Sequence, residues 1–295
     1  MDPDSTTAPD GPELMPWWMK IAAKLVLSRI PLENQTFAKL GMFRHGAMQD
    51  SSYALEVFKT HFERSEFPGK YDGYTCLELG VGDSVASALI ARSFGSKKTY
   101  LLDSGRYAID DVSVYKKIVQ SWQEKKLEIR GLDNIASFEE LLGVVKCEYL
   151  TEGLSSLRTI PDNSVNFVWS QAVLEHIRIG EFDETLAELF RITTPGAVLS
   201  HRVDYKDHLG GALDNHRIPS RVWEADWMAG SGFYTNRISQ PDMIRRFEDA
   251  GFTVEVLITN KWDDLPTPKR KMASEYSKMP DEELLVSGSD FLLIR

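Results

Sequence analysis

Between Cys76 and Ser84 the chain reads Cys76-Leu77-Glu78-Leu79-Gly80-Val81-Gly82-Asp83-Ser84: an apolar strand, an acid, a Gly-x-Gly turn, then a helical pattern. Glycines at such a turn let the backbone approach a ligand at the carboxyl end of a first strand, where open α/β sheets bind. Roughly twenty residues on, a second apolar run ends Tyr100-Leu101-Leu102-Asp103, and an acid at that distance accepts the hydroxyls of a ribose. The third glycine of the dinucleotide fingerprint is missing, because Ser84 stands in its place. Glu78, just before the turn, either reaches an amino group of the ligand or organises the turn itself. The pattern supports an adenosine-bearing ligand well and a pyrophosphate poorly.

The remainder of the chain repeats the strand-then-helix texture of βαβ units around a parallel sheet. Apolar, β-branched runs place strands near 75–79, 99–103, 145–150, 165–170 and 197–203. Helical periodicity places helices near 84–94, 112–123, 137–142 and 181–192. After an irregular stretch from about 206 to 237 come a helix at 240–250, a strand at 253–259 and a last strand at 290–294. Five parallel strands and two late ones predict a doubly wound, seven-stranded, mostly parallel Rossmann-like α/β sheet. Residues 1–13 read as a disordered lead and 14–70 as a helical extension or lid, with helices near 15–30 and 53–64. The domain proper runs 71–295, with an insertion at about 206–237.

Composition narrows the partners. A net charge of -10 argues against a nucleic-acid partner, since polyanion binding draws on Lys and Arg. The two cysteines, Cys76 and Cys147, both fall in strands and suggest packed thiols in a reducing, cytoplasmic setting. The acidic, Pro-rich start lacks a secretory signal, and no apolar run nears the ~20 residues that span a bilayer. Trp17 and Trp18, with Lys20, Lys24 and Arg29 among apolar neighbours, suit a helix that packs or forms a lid. Contact with a membrane interface is the less favoured alternative.

Taken together these motifs resemble the class I S-adenosylmethionine-dependent methyltransferases, in particular the type 11-like branch with a broad small-molecule and glycan range. Glu78 to Gly82 is similar to the family's first motif and Asp103 to its ribose acid. Pro161 to Ser170 followed by Val173-Leu174-Glu175-His176-Ile177 is similar to its fourth-strand region. Glu188 to Ile192 through Pro195-Gly196-Ala197 resembles its helix, turn and fifth strand, and Ala250-Gly251-Phe252 fits before the sixth. The resemblance implies S-adenosyl-L-methionine as cofactor. It implies binding by Glu78, Gly80, Gly82 and Asp103, with Tyr149, Leu150 and Thr151 near the adenine and Ser170 and Gln171 near the methionine moiety.

For a hydroxyl acceptor the protein must also remove a proton. His176, beside Glu175 at the exit of the fourth strand, and His201, Asp204 and His208, leaving the fifth, are the candidates. An imidazole suits proton removal near neutrality. Each has a plainer role open to it: His176 packing on the strand, Asp204 and Asp207 turning the loop. Asp204 and Asp207 could instead hold a divalent cation on a sugar diol, although no metal site is legible with confidence. In the insertion, Trp223, Tyr234 and Arg237 suit a sugar's apolar faces and hydroxyls, or else form a satellite core beneath a long loop. Arg44 and His45 are further candidates for the acceptor. The expected function is O-methylation of a sugar or other small hydroxylated acceptor, of the kind met in polysaccharide biosynthesis. The alternatives are N- or C-methylation of a small molecule, a non-catalytic cofactor-binding scaffold and, more remotely, an NAD(P)-dependent oxidoreductase.

Overall fold

The computed structural model describes residues 48, 50–66, 73–122, 129, 131–132 and 134–295. The expectations for 1–13, the 15–30 helix with Trp17 and Trp18, and Arg44 and His45 lie outside the described residues. Seven strands form one sheet: β1 Tyr74–Leu79, β2 Ser96–Leu102, β3 Cys147–Leu150, β4 Val165–Gln171, β5 Thr193–Asp204, β6 Thr253–Lys261 and β7 Val286–Ile294. Their order is β3-β2-β1-β4-β5-β7-β6. The first five run parallel, and β7 is antiparallel to both β5 and β6. The chain winds outward from β1 to β3 and then returns to β4 on the other side of β1. The connections leaving β1 and β4 therefore diverge, opening a crevice at the carboxyl ends of those strands.

Helices cover both faces. On one lie α1 Ser51–Arg64, α2 Ala86–Ser93, α3 Val112–Trp122 and α4 Phe138–Val144; on the other lie α5 Ile179–Ile192 and α6 Gln240–Asp249. The start of α1 is set by Asp50, whose carboxylate accepts from the N–H groups of Ser52 (2.8 Å) and Tyr53 (3.2 Å). Its buried stripe, Ala54, Leu55, Phe58, His61 and Phe62, follows helical spacing. Phe58 meets Trp169 edge-on at 5.2 Å and Phe62 meets Phe167 at 5.7 Å, so α1 belongs to the sheet's own core.

The central strands are apolar on both faces, as a sheet covered on both sides requires. Cys76 is fully buried, which pushes its thiol up to about 12, and Cys147 is half-buried; neither forms a disulfide. The insertion after β5 folds into short helical turns. The segment between β6 and β7 packs on it through Leu213, Met272 and Leu284.

Candidate active site

The crevice is built around the Gly80–Gly82 turn. Both glycines have positive φ, 74° and 66°, where other residues are strained. A Cβ on Gly80 would overlap the methyl groups of Val173, so the turn is pressed against the exit of β4. Gly80 N–H donates to Leu102 O (2.8 Å), tying the turn to β2. Gly82 N–H donates to Asp103 Oδ2 (3.1 Å), and Ser104 N–H donates to Oδ1 (2.7 Å). Ser84, where a third glycine was missed, is fully buried and accepts from Ala86 N–H (3.2 Å) just ahead of α2. Glu78 is 3% exposed, takes a hydrogen bond from Ser87 Oγ that ties β1 to α2, and burial pushes its carboxyl up to about 8.

Around this turn the expected cofactor residues divide. Asp103 is half-buried at the end of β2, and its N–H donates to Leu150 O (2.9 Å), so β3 ends beside it with Leu150 half-buried. Tyr149 points its hydroxyl into the loop after β2, accepting from the N–H groups of Tyr107 (3.1 Å) and Ala108 (3.2 Å). That hydroxyl shapes the loop beside the crevice. Ser170 is fully buried, and its side chain meets His201 Nδ1 at 2.7 Å on the sheet face away from α1. Its side chain does not reach the crevice. Gln171 is half-buried on the α1 face, where its Oε1 accepts from His61 Nε2 (3.0 Å), while Ser200 Oγ donates to His61 Nδ1 (2.7 Å). Ala172 follows with φ of 54°, a strained conformation for a residue carrying a Cβ, at the mouth of β4.

The proton-handling candidates also divide. His201 is fully buried, stacks at 6.3 Å on Phe247 of α6, and burial lowers its pKa to about 3. It is a core histidine, contrary to the expectation that it meets the acceptor. The alternation of β5 puts it on the face of Leu199 and Val203, both core residues. His176 and His208 come together instead. Both are exposed, their rings meet at 4.7 Å and 61°, and His176 Nδ1–H donates to Tyr234 O (2.8 Å). With Nδ1 carrying the hydrogen, the neutral ring bears its lone pair on Nε2. Asp204 accepts from Lys206 N–H (2.9 Å), a local turn contact.

Asp207 corrects the metal expectation. Buried at 5% exposure, it accepts from the N–H groups of Leu209, Gly210 and Gly211 through Oδ1 and of Asp214 through Oδ2. Those four bonds consume the carboxylate in folding the insertion. No cluster of three His, Cys, Asp or Glu side chains suited to a metal occurs among the described residues.

In the insertion the satellite-core alternative holds for Trp223, which is fully buried with Leu209, Met228, Phe233 and Tyr234, its Nε1–H on Thr235 O (2.7 Å). Tyr234 is 4% exposed and donates its hydroxyl to Glu224 (2.6 Å). Arg237 lies over the rings of Trp223 and Tyr276 at 5.1 and 4.7 Å. Sequence reading passed over two residues. His61 sits on the apolar stripe of α1, where a histidine reads as core. Asn236 binds the loop after β4, donating its side-chain amide to Leu174 O (2.8 Å) and Ile177 O (3.1 Å), and no local pattern reports so distant a pairing.

The residues at the crevice fit an adenosine-bearing ligand: a partly exposed carboxylate at the end of β2, an apolar residue ending β3, and a glycine turn tied to that carboxylate through Gly82 N–H. Residues 77–200 match the family model described as a methyltransferase domain. Strand order, crevice and this match support a class I S-adenosylmethionine-dependent methyltransferase, an enzyme that takes its methyl group from that cofactor.

Similar solved structures include an S-adenosylmethionine-dependent methyltransferase from Methanosarcina mazei (16% identity, 76% of this chain and 93% of that one, TM-score 0.46). An arsenic(III) S-adenosylmethionine methyltransferase from Chlamydomonas reinhardtii is also similar (15%, 77% and 64%, TM-score 0.42). So is phosphoethanolamine N-methyltransferase 2 from Haemonchus contortus (12%, 84% and 58%, TM-score 0.41). No curated protein matches the chain. No helix among the described residues is long and apolar enough to cross a membrane.

Proposed function

We propose that the enzyme O-methylates a small hydroxylated acceptor, of the sugar-like kind found in glycan building blocks. The observation that carries this reading is the exposed pair His176 and His208, in the segments that follow the carboxyl ends of β4 and β5. The cofactor supplies an electrophilic methyl on a sulfonium, whose sulfur leaves as a neutral thioether. An attacking hydroxyl must lose its proton as the new C–O bond forms, and His176 Nε2 is the acceptor we assign to it. Tyr234 O fixes the His176 ring by taking its Nδ1–H, and His208 packs edge-on to that ring and limits its rotation. Asp103, Gly82 and Leu150 form the nucleoside end of the crevice, and Gln171, held by His61, forms the end nearer the acceptor.

Positioning can supply roughly 7–11 kcal/mol of the barrier, and a general base adds about 10²–10⁴-fold. His176→Ala is therefore expected to lower methyl transfer about 10²–10⁴-fold while leaving S-adenosylhomocysteine affinity unchanged. His208→Ala has a smaller effect in the same direction. Transfer of labelled methyl to hydroxylated acceptors, run beside calorimetric titration of S-adenosylhomocysteine, separates the two quantities. Full activity in His176→Ala would remove the base from the reading.

A further inference from the structure

The polar chemistry that the methyl-transfer reading leaves unused lies beyond β5. A small pocket there, of about 30 Å³, is lined by Glu175, Asp204, Tyr205, His216, Asn236 and Arg237, and it adjoins a groove of about 630 Å³ walled in part by Ser220, Glu224 and Tyr276. The groove has room for a small ligand and the pocket for one water-sized group. Two segments roof it: the insertion after β5 and the stretch between β6 and β7. Both lie outside the residues that match the methyltransferase-domain family, 77–200. They are stitched together by Thr267 Oγ1–H on Asp214 (2.9 Å), Leu213 N–H on Thr267 Oγ1 (3.3 Å) and Ser220 N–H on Glu275 (2.8 Å).

Two of the buried groups on this pocket's wall each leave one polar atom without a partner among the described residues. Glu175 is 2% exposed; its Oε1 accepts from Asp204 N–H (3.3 Å), but its Oε2 accepts from nothing. Arg237 has its side chain fully covered and donates from Nη1 and Nη2 to Asn215 O, Ile218 O and Ser220 Oγ, but its Nε–H has no acceptor. Buried polar groups are nearly always paired, so two exceptions in one pocket point to a ligand that completes them.

We propose that this groove binds an uncharged, polyhydroxylated part of the acceptor, the ring of a sugar, with a hydroxyl entering the small pocket to accept from Arg237 Nε–H and to meet Glu175 Oε2. This rests on the methyltransferase reading and names the substrate class of that enzyme. A hydroxyl both donates and accepts, which the two vacant positions require. An ammonium group cannot accept from Arg237. An anion meets Asp204 and Glu283 on the same wall, and the charge of Arg237 is already opposed by Glu224 at 3.7 Å.

The test uses the full chain saturated with S-adenosylhomocysteine and saturation-transfer NMR with methyl α-glucoside, methyl α-mannoside and methyl α-rhamnoside as probes. Choline and glycerol 3-phosphate are the charged comparators. At least one glycoside is expected to bind in preference to both. Its affinity should fall about tenfold in Glu175→Met and stay near wild type in Glu175→Gln, which keeps the hydrogen-bonding shape. Unchanged S-adenosylhomocysteine affinity in each variant shows that the fold is intact. Binding of no glycoside, a preference for choline or the phosphate, or undiminished binding in Glu175→Met would overturn the proposal and leave the methyltransferase standing. Failure of the wild type to bind S-adenosylhomocysteine would instead overturn the cofactor reading.

Discussion

Gly80 carries two constraints that separate experimentally. Its φ of 74° disfavours any residue with a Cβ, and that Cβ would overlap Val173. The left-handed backbone alone costs about 1–2 kcal/mol, and the overlap adds to it because a β-branched neighbour at χ1 yields poorly. Gly80→Ala is therefore expected to lower stability by more than about 2 kcal/mol and to weaken S-adenosylhomocysteine binding. Adding Val173→Ala should return the overlap part and leave the backbone part. Urea unfolding of the two single variants and the double variant measures this coupling, and strict additivity would show that Val173 does not press on the turn. Residue by residue, the cofactor end of the site was the more legible. Strand, turn and acid lie within thirty residues of one another and obey local rules of spacing. The acceptor end was less so, because which face of β5 carries His201 depends on a register that the strand's own residues leave open. Likewise, whether Asp207 faces a ligand or folds its own loop depends on where four backbone N–H groups point.

Among the elements, α1 shows how far a boundary drawn from texture can stand from a boundary drawn by packing. The chain changes character near residue 71, and sequence reading therefore placed the 53–64 helix in an extension. In the structure α1 covers the aromatic face of β4 with Phe58 and Phe62, and His61 reaches both Gln171 on β4 and Ser200 on β5. Helical periodicity identified the helix well, but amphipathicity says only that a face is buried, never against what. A chain beginning at residue 73 would leave Phe94, Phe167 and Trp169 without cover and Gln171 and Ser200 without the histidine between them. It is expected to aggregate, or to show helical far-ultraviolet circular dichroism without the near-ultraviolet signal of fixed aromatic packing. A soluble, natively packed product that binds S-adenosylhomocysteine would show α1 to be a dispensable cover.

For the whole molecule, the buried ionisable groups set a pH window. Burial raises Glu78 to about 8 and lifts Glu175 well above its ordinary range, so the native state holds protons on both that the unfolded chain releases near pH 4.5. Where the native state binds more protons, stability falls as pH rises. The buried histidines act in the opposite sense. His61, lowered to about 4, and His201 and His216, lowered to about 3, stay neutral in the native state while the unfolded chain takes up protons below about 6.5. Their contribution makes stability rise with pH and is complete once the unfolded imidazoles are neutral. Below that point three histidines oppose two carboxyls; above it only the carboxyls act. Stability is therefore expected to peak near pH 6.5 and decline toward pH 8, at an upper limit of about 1.4 kcal/mol per pH unit for each carboxyl. Glu78→Gln keeps an acceptor for Ser87 and removes one of the two titrations, so it should flatten the decline and raise stability most at pH 8. Thermal unfolding of both proteins between pH 6 and 8.5 decides it: parallel slopes would mean that Glu78 ionises in the native state as readily as in the unfolded chain.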